Sequence, residues 1–199
     1  MILEPDFYAR PTLDVARDLI GKVLVRHSKP STAAGIIVEV EAYIGEDDPA
    51  CHAAVGRTTR NAPLYGPPGH AYVYLNYGLH YLTNAVTESD GFPAAVLIRA
   101  LEPVEGLAAM RRRRAAAPWR RGKGRVPDHE LCRGPGNLSR ALGITLGDNL
   151  CDLSRGPITI EDRNTRPGTL VWGTRIGLRV GTEHPWRVSV EGHRSVSGT

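Results

Sequence analysis

The chain has 199 residues, 41% hydrophobic and 23% charged, enough to bury one sizeable core and to be read as one domain over 1–199. No run approaches the roughly 20 apolar residues of a membrane-spanning helix, and the opening MILEPDFYAR puts acids and a proline where a secretory signal needs a basic and then an apolar run. The formal net charge is +4, carried by 22 arginines against three lysines, which favours anionic partners recognised through guanidinium forks.

In chain order, the spacing predicts a helix starting at Pro11. Leu13, Ala16, Leu19 and Ile20 recur at helical intervals, Thr12 or Asp14 offers a cap, and Gly21 stops the run. KVLVRH (22–27) and AGIIVEVEAYIG (34–45) read as strands, the second rich in Ile and Val. Residues 46–70 are loop-rich, with a short helix around 49–54. HAYVYLNYG (70–78) and YLTNAVT (81–87) read as two strands broken at Gly78, and AAVLIRALEP (94–103) as another ended by Pro103. VEGLAAMRRRR reads as a short helix running into a basic loop, and GPGNLSRALGI as a turn followed by a helix. GPITIED, TLVWGTRIGL and WRVSVEG close the chain as short strands. The connections are mostly too short for parallel crossovers. The expected class is therefore α+β: a single domain with a curved, mostly antiparallel sheet and flanking helices.

Residues 107–127 carry eight basic residues and no acid. Such a block reads as a disordered loop over 111–127 or a phosphate-facing one. The three cysteines, Cys51, Cys132 and Cys151, are odd in number and form no C-x-x-C. They support neither a disulfide framework nor a zinc knuckle, and fit a reducing cytoplasm.

Three segments carry candidate chemistry. On a strand, Glu39, Glu41 and Tyr43 share one face. That pattern fits a strand with one face in water, a carboxylate that activates water beside an aromatic, or a metal site drawing on Asp47, Asp48 and His52 as well. In AYVYLNYG, Tyr72, Tyr74 and Asn76 share a face and Tyr77 precedes Gly78. The rings suit either a core strand or a platform for stacking bases. Arg99 interrupts an apolar strand and requires an anion, either a strand carboxylate or a substrate phosphate. Arg57 and Arg60, in the loop GRTTRNAPLYGPPG, are candidate contacts to a phosphate backbone.

Four blocks in order, VEVEAYIGEDDPACHAA, GHAYVYLNYGLHYLTNAV, VLIRALEPVEG and RGPGNLSRALGI, resemble the alkyladenine (3-methyladenine) DNA glycosylases over nearly the whole chain. The resemblance implies a monofunctional enzyme of base excision repair. Such an enzyme flips alkylated or deaminated purines (3-methyladenine, 7-methylguanine, hypoxanthine, ethenoadenine) out of duplex DNA and hydrolyses the N-glycosidic bond, without cofactor or metal. It implies Glu41 as the residue that orients or deprotonates the attacking water, and Arg99 as its partner at the water and a nearby phosphate. Tyr43, His52 and Tyr74 would sandwich the flipped base, Asn84 would disfavour the guanine 2-amino group, and Tyr77 would fill the gap left in the stack. Tyr72 is left to support or core packing. The chain departs from the family at Leu79 and His80 and in the longer basic insert 111–125. The expected partner is double-stranded DNA with damaged purines. The expected state is a monomer, without a membrane, in the cytoplasm (at the nucleoid in a bacterium). A damage-binding protein without catalysis and a metal-dependent hydrolase are the competing readings.

Overall fold

The structure is a computed structural model that describes residues 1–28, 32–117 and 124–198. Its elements are α1 (Pro5–Tyr8), α2 (Thr12–Leu19), β1 (Val23–Arg26), β2 (Ala33–Ile44), β3 (Ala71–Asn76), β4 (His80–Val86), β5 (Ala94–Glu105), α3 (Leu107–Ala115), α4 (Pro135–Leu142), β6 (Ile158–Glu161), β7 (Leu170–Gly173) and β8 (Arg187–Val190). Every strand pair is antiparallel, in the order β3-β4-β5-β2-β1-β6. The second half of β2 leaves β1 and pairs instead with β8, which carries β7 on its far side. Two successive partners on one edge of β2 accompany the curl of the sheet, so the molecule is α+β with a curved antiparallel sheet.

Alternation divides the sheet into two faces. Ala71 and Val73 of β3, Val40 and Ala42 of β2, and Val96 and Ile98 of β5 belong to the main core, with Val15 and Leu19 of α2 and Leu138 and Leu142 of α4. Tyr72, Ala95 and Val86 belong to a second cluster with Cys51, Leu64 and Tyr65, against which Tyr43 and Tyr74 pack. The candidate site is built on this second cluster.

Several expectations are corrected. The Glu39–Glu41 face does not meet water: both side chains are fully buried, with Arg99, the segment after β7 and the C-terminal segment against them. The expected helix around 49–54 is a single 3₁₀ turn, His52–Val55, with another at Ala62–Tyr65. The strand expected over 169–178 stops at Gly173. Neither Thr12 nor Asp14 caps α2; instead the Thr12 amide and hydroxyl donate to the Glu88 carboxylate at 2.6 and 2.7 Å. A carboxylate at a helix start suits the dipole, but this one comes from 76 residues away. The basic segment is not loop from its start: Arg111–Ala115 complete α3. Of the remainder, residues 118–123 lie outside the described residues.

β2 and β5 lose register where the chemistry-bearing side chains lie. Ile37 faces Leu101, Glu39 faces Ala100 and Val40 faces Ile98, so Val38 and Arg99 have no in-register partner. Irregularities of this kind re-aim a side chain. Here the displaced arginine meets both strand carboxylates.

Candidate functional site

Glu41 is held by three donors. Arg99 Nη1 is 3.1 Å from Oε1, the Ile176 amide donates to Oε1 at 2.7 Å, and the Tyr43 hydroxyl donates to Oε2 at 2.8 Å. Glu39 accepts from Arg99 Nε at 3.2 Å, Arg187 Nη1 at 3.1 Å, and the Ser197 hydroxyl and amide at 2.9 and 2.8 Å. Arg99 thus bridges the two carboxylates, which supplies the anion that a buried arginine requires. Oε2 of Glu41 accepts one bond among the described residues, and a carboxylate oxygen has capacity for a second.

Above this pair opens a cavity of about 280 Å³. Tyr43, Arg99 and Ile176, the three residues that tether Glu41, all line it, while Glu41 itself lies behind them. Aromatic rings form much of the wall. His52 and Tyr74 touch edge to face with centroids 4.5 Å apart, and Tyr72 is 5.2 Å from Tyr74 at an interplanar angle of 32°. At that spacing no flat ring fits between His52 and Tyr74, so they form one continuous surface. Tyr72 is part of that surface rather than buried support alone. Its hydroxyl lies 2.9 Å from His52 Nδ1, and its own pKa is pushed up to about 12, chiefly by burial. His52 is shifted below the ordinary histidine value, first by burial and then by the Arg60 guanidinium. Burial, reinforced by Glu41, raises the Tyr43 hydroxyl, which therefore remains a donor.

Asn84 lines the cavity, faces Tyr72 in register and donates from Nδ2 to the Tyr72 carbonyl at 2.9 Å. Tyr77 stands at the cavity mouth and is 88% exposed. It has left β3, so strand alternation does not set its direction. Tyr77 and Gly78, with φ of 49° and 68°, form the centre of a turn closed by the Leu79 amide donating to the Asn76 carbonyl. A non-glycine residue with positive φ costs roughly 1–3 kcal/mol and is kept where the surroundings require it. Arg57 and Arg60 are exposed, with their guanidinium carbons 5.4 Å and 5.9 Å from the ring centres of Tyr65 and Tyr74.

The rim segment 174–181 borders the cavity and holds Glu41, and none of its residues is singled out as a candidate in the sequence. Arg175 and Asp48 form a fully buried ion pair, with Nη1 to Oδ2 at 2.6 Å and Nη2 to Oδ1 at 2.8 Å. The same guanidinium donates to the carbonyls of Ala42 and Gly181, and packs between the rings of Tyr43 and Trp186 at 4.7 and 5.0 Å. His184 stacks on the Trp186 ring, with centroids 4.1 Å apart. Burial would raise the Asp48 carboxyl, but Arg175 and the Ala50 and Ile44 amides outweigh it and hold it below the usual range. Arg175 thereby presents Ile176 to Glu41 and Gly177 and Leu178 to the cavity. An arginine interrupting an apolar run is the available signal, the same one that singles out Arg99.

Three of the five side chains named for a metal site are already paired in this arrangement. Asp48 is committed to Arg175, and Glu39 and Glu41 to arginines. Among the described residues no three His, Cys, Asp or Glu side chains converge as a cation would need.

A sequence model of the methylpurine-DNA glycosylase family matches residues 6–194. Relatives named “Putative 3-methyladenine DNA glycosylase” include proteins from Burkholderia lata (46% identical, 99% of this chain and 91% of theirs) and Rhodopseudomonas palustris (47%, 96% and 85%). A third, from Methanocella arvoryzae, is 48% identical over 94% of this chain and 90% of its own.

Proposed function

The chain belongs to the methylpurine-DNA glycosylase family, and from that premise we propose that it flips an alkylated or deaminated purine into the aromatic cavity and hydrolyses its bond to deoxyribose. The family makes it a hydrolase of N-glycosidic bonds in DNA; the substrates and the mechanism are our reading. The observation that carries the reading is the Glu41–Arg99 pair, tethered by residues that line the base of an aromatic-walled cavity.

In this reading the purine lies with one face on the His52–Tyr74 surface and the other toward Tyr43. Electron-poor alkylated rings stack well on such faces. A neutral His52, favoured by its lowered pKa, avoids repelling a cationic base. Water held by Glu41 and Arg99 attacks C1′. The C1′–N bond breaks with its electron pair passing to the base, and the proton of the water passes to Glu41. The sugar passes through an oxocarbenium-like state, which a fixed carboxylate stabilises without reorganisation. Extrusion of a base costs a few kcal/mol, and least for a damaged one. Tyr77 offsets part of that cost by entering the vacated space, and Arg57 and Arg60 contact the backbone. Asn84 sets the penalty for a purine 2-amino group. The protein acts as a monomer without metal or cofactor.

The test is single-turnover excision from duplexes that each carry 3-methyladenine, 7-methylguanine, hypoxanthine or ethenoadenine, with undamaged DNA as reference. Release of at least one modified purine well above the reference supports the reading. Binding of lesion DNA without release of any of the four favours a damage-binding protein.

A further inference from the structure

The basic segment of α3 is only partly accounted for by packing. Arg111 forms a bidentate pair with Asp128 at 2.7 Å, and Arg114 is buried against Asn137. Arg112 and Arg113 point elsewhere. With Arg140, Leu79, Tyr81 and Thr145 they line a groove of about 430 Å³ between the ends of α3 and α4 and the β3–β4 hairpin. Among the described residues, three arginines line this groove and no carboxylate does.

Some of this charge braces the helix ends. Arg113 Nη1 donates to the Ala141 carbonyl at 3.0 Å, and Arg140 donates to the Arg113 and Ala116 carbonyls at 3.1 and 2.9 Å. Each helix thus has terminal carbonyls capped from the other. A guanidinium has five N–H donors, so capping leaves Arg113 with donors to spare. Arg112 is exposed, and its side chain makes no hydrogen bond or ion pair among the described residues. Burial, and after it the like charges of Arg26 and Arg112, lower the Arg113 pKa. The exposed turn joins the groove to the candidate site: Tyr77 borders the aromatic cavity, and Leu79, two residues on, borders the groove.

We propose that this groove binds phosphates of the DNA backbone, on the duplex whose base enters the aromatic cavity. The inference rests on the DNA reading above and gives the basic block a place in it. Arginine forks match phosphate oxygens in pairs, and a groove without carboxylates charges no electrostatic toll on the strand.

The test is binding to a duplex carrying an uncleavable abasic-site analogue, measured across a salt series. Arg112→Ala should flatten the slope of log K against log salt by about one unit, and Arg112→Lys should restore it. Arg155→Ala, which removes an arginine with a 79% exposed side chain paired to Asp152 and outside the groove, should keep the wild-type slope. A wild-type slope for Arg112→Ala, or an equal change in Arg155→Ala, overturns the proposal. Excision by the unaltered chain is scored separately. Excision with an unchanged Arg112→Ala slope removes the groove and keeps the glycosylase reading; an altered slope without excision does the reverse.

Discussion

At the scale of single residues, two side chains carry constraints that a stability measurement reads and that the proposed chemistry uses. His52 has a folded pKa below the 6.5 of a free histidine. Between those two values the unfolded chain holds a proton that the folded chain lacks, so stability rises with pH across that window. The contribution is complete above about 6.5 and is lost as the pH falls through the folded value. An NMR titration assigned with His52→Asn should give an apparent pKa under 6.5, and a value above it would remove the neutral stacking surface from the account. Tyr77 is the second case. It occupies a left-handed turn position at which Asn-Gly is the preferred pair. Tyr77→Asn should therefore raise stability by roughly 1 kcal/mol while weakening binding to lesion duplexes. Denaturant unfolding and anisotropy measured on one preparation read the two effects, and a variant that is less stable yet binds normally would contradict both.

At the scale of elements, the rim segment after β7 depends on the Arg175–Asp48 pair. Removing one member of a fully buried ion pair leaves an uncompensated charge, at roughly 3–5 kcal/mol. Arg175→Ala should lower stability by about that amount and slow excision, because the Ile176 amide loses its fixed position at Glu41. Arg175→Ala/Asp48→Ala should recover much of the stability but not the rate. If the double variant regains the rate as well, the segment serves stability alone. This element also marks where the sequence is legible and where it is not. The β3–β4 hairpin and α2 follow from alternation, from Gly78 and from the apolar spacing that ends at Gly21; β5 follows from its apolar run, but it continues past Pro103, the expected end, to Glu105. Arg99 declares itself by interrupting an apolar strand. Glu41 and Glu39 do not show their burial, because the groups that cover them, Ile176 and Ser197, lie 135 and 158 residues away. The cap on α2 is hidden for the same reason. TLVWGTRIGL has the composition of one strand, and its second half is held as a rim by tertiary contacts, chiefly those of Arg175 with Asp48, Ala42 and Gly181. The division of labour among the tyrosines comes from the family resemblance. Alternation puts Tyr72 and Tyr74 on one face, but the role of Tyr77 rests on a turn.

At the scale of the whole molecule, one face of the curled sheet holds the main core and the other an aromatic cavity with an exposed turn at its mouth. The turn joins that cavity to the arginine groove. No helix among the described residues is long and apolar enough to cross a membrane. Dialysis against a chelator should leave excision unchanged, since the acidic residues of the site are taken up by arginines, hydroxyls and amides. Activity lost to the chelator and restored by a divalent ion would return the acidic strand to the metal reading. The central claim is that this constellation catalyses rather than only binds. Glu41→Gln keeps the shape of the side chain and, with its amide oxygen in the Oε1 position, the Arg99 and Ile176 tethers, but removes the carboxylate and the acceptor for the Tyr43 hydroxyl. Its single-turnover excision of hypoxanthine should fall by about 10²–10⁴-fold, with affinity for the lesion duplex close to wild type. Excision at the wild-type rate by Glu41→Gln would contradict the account.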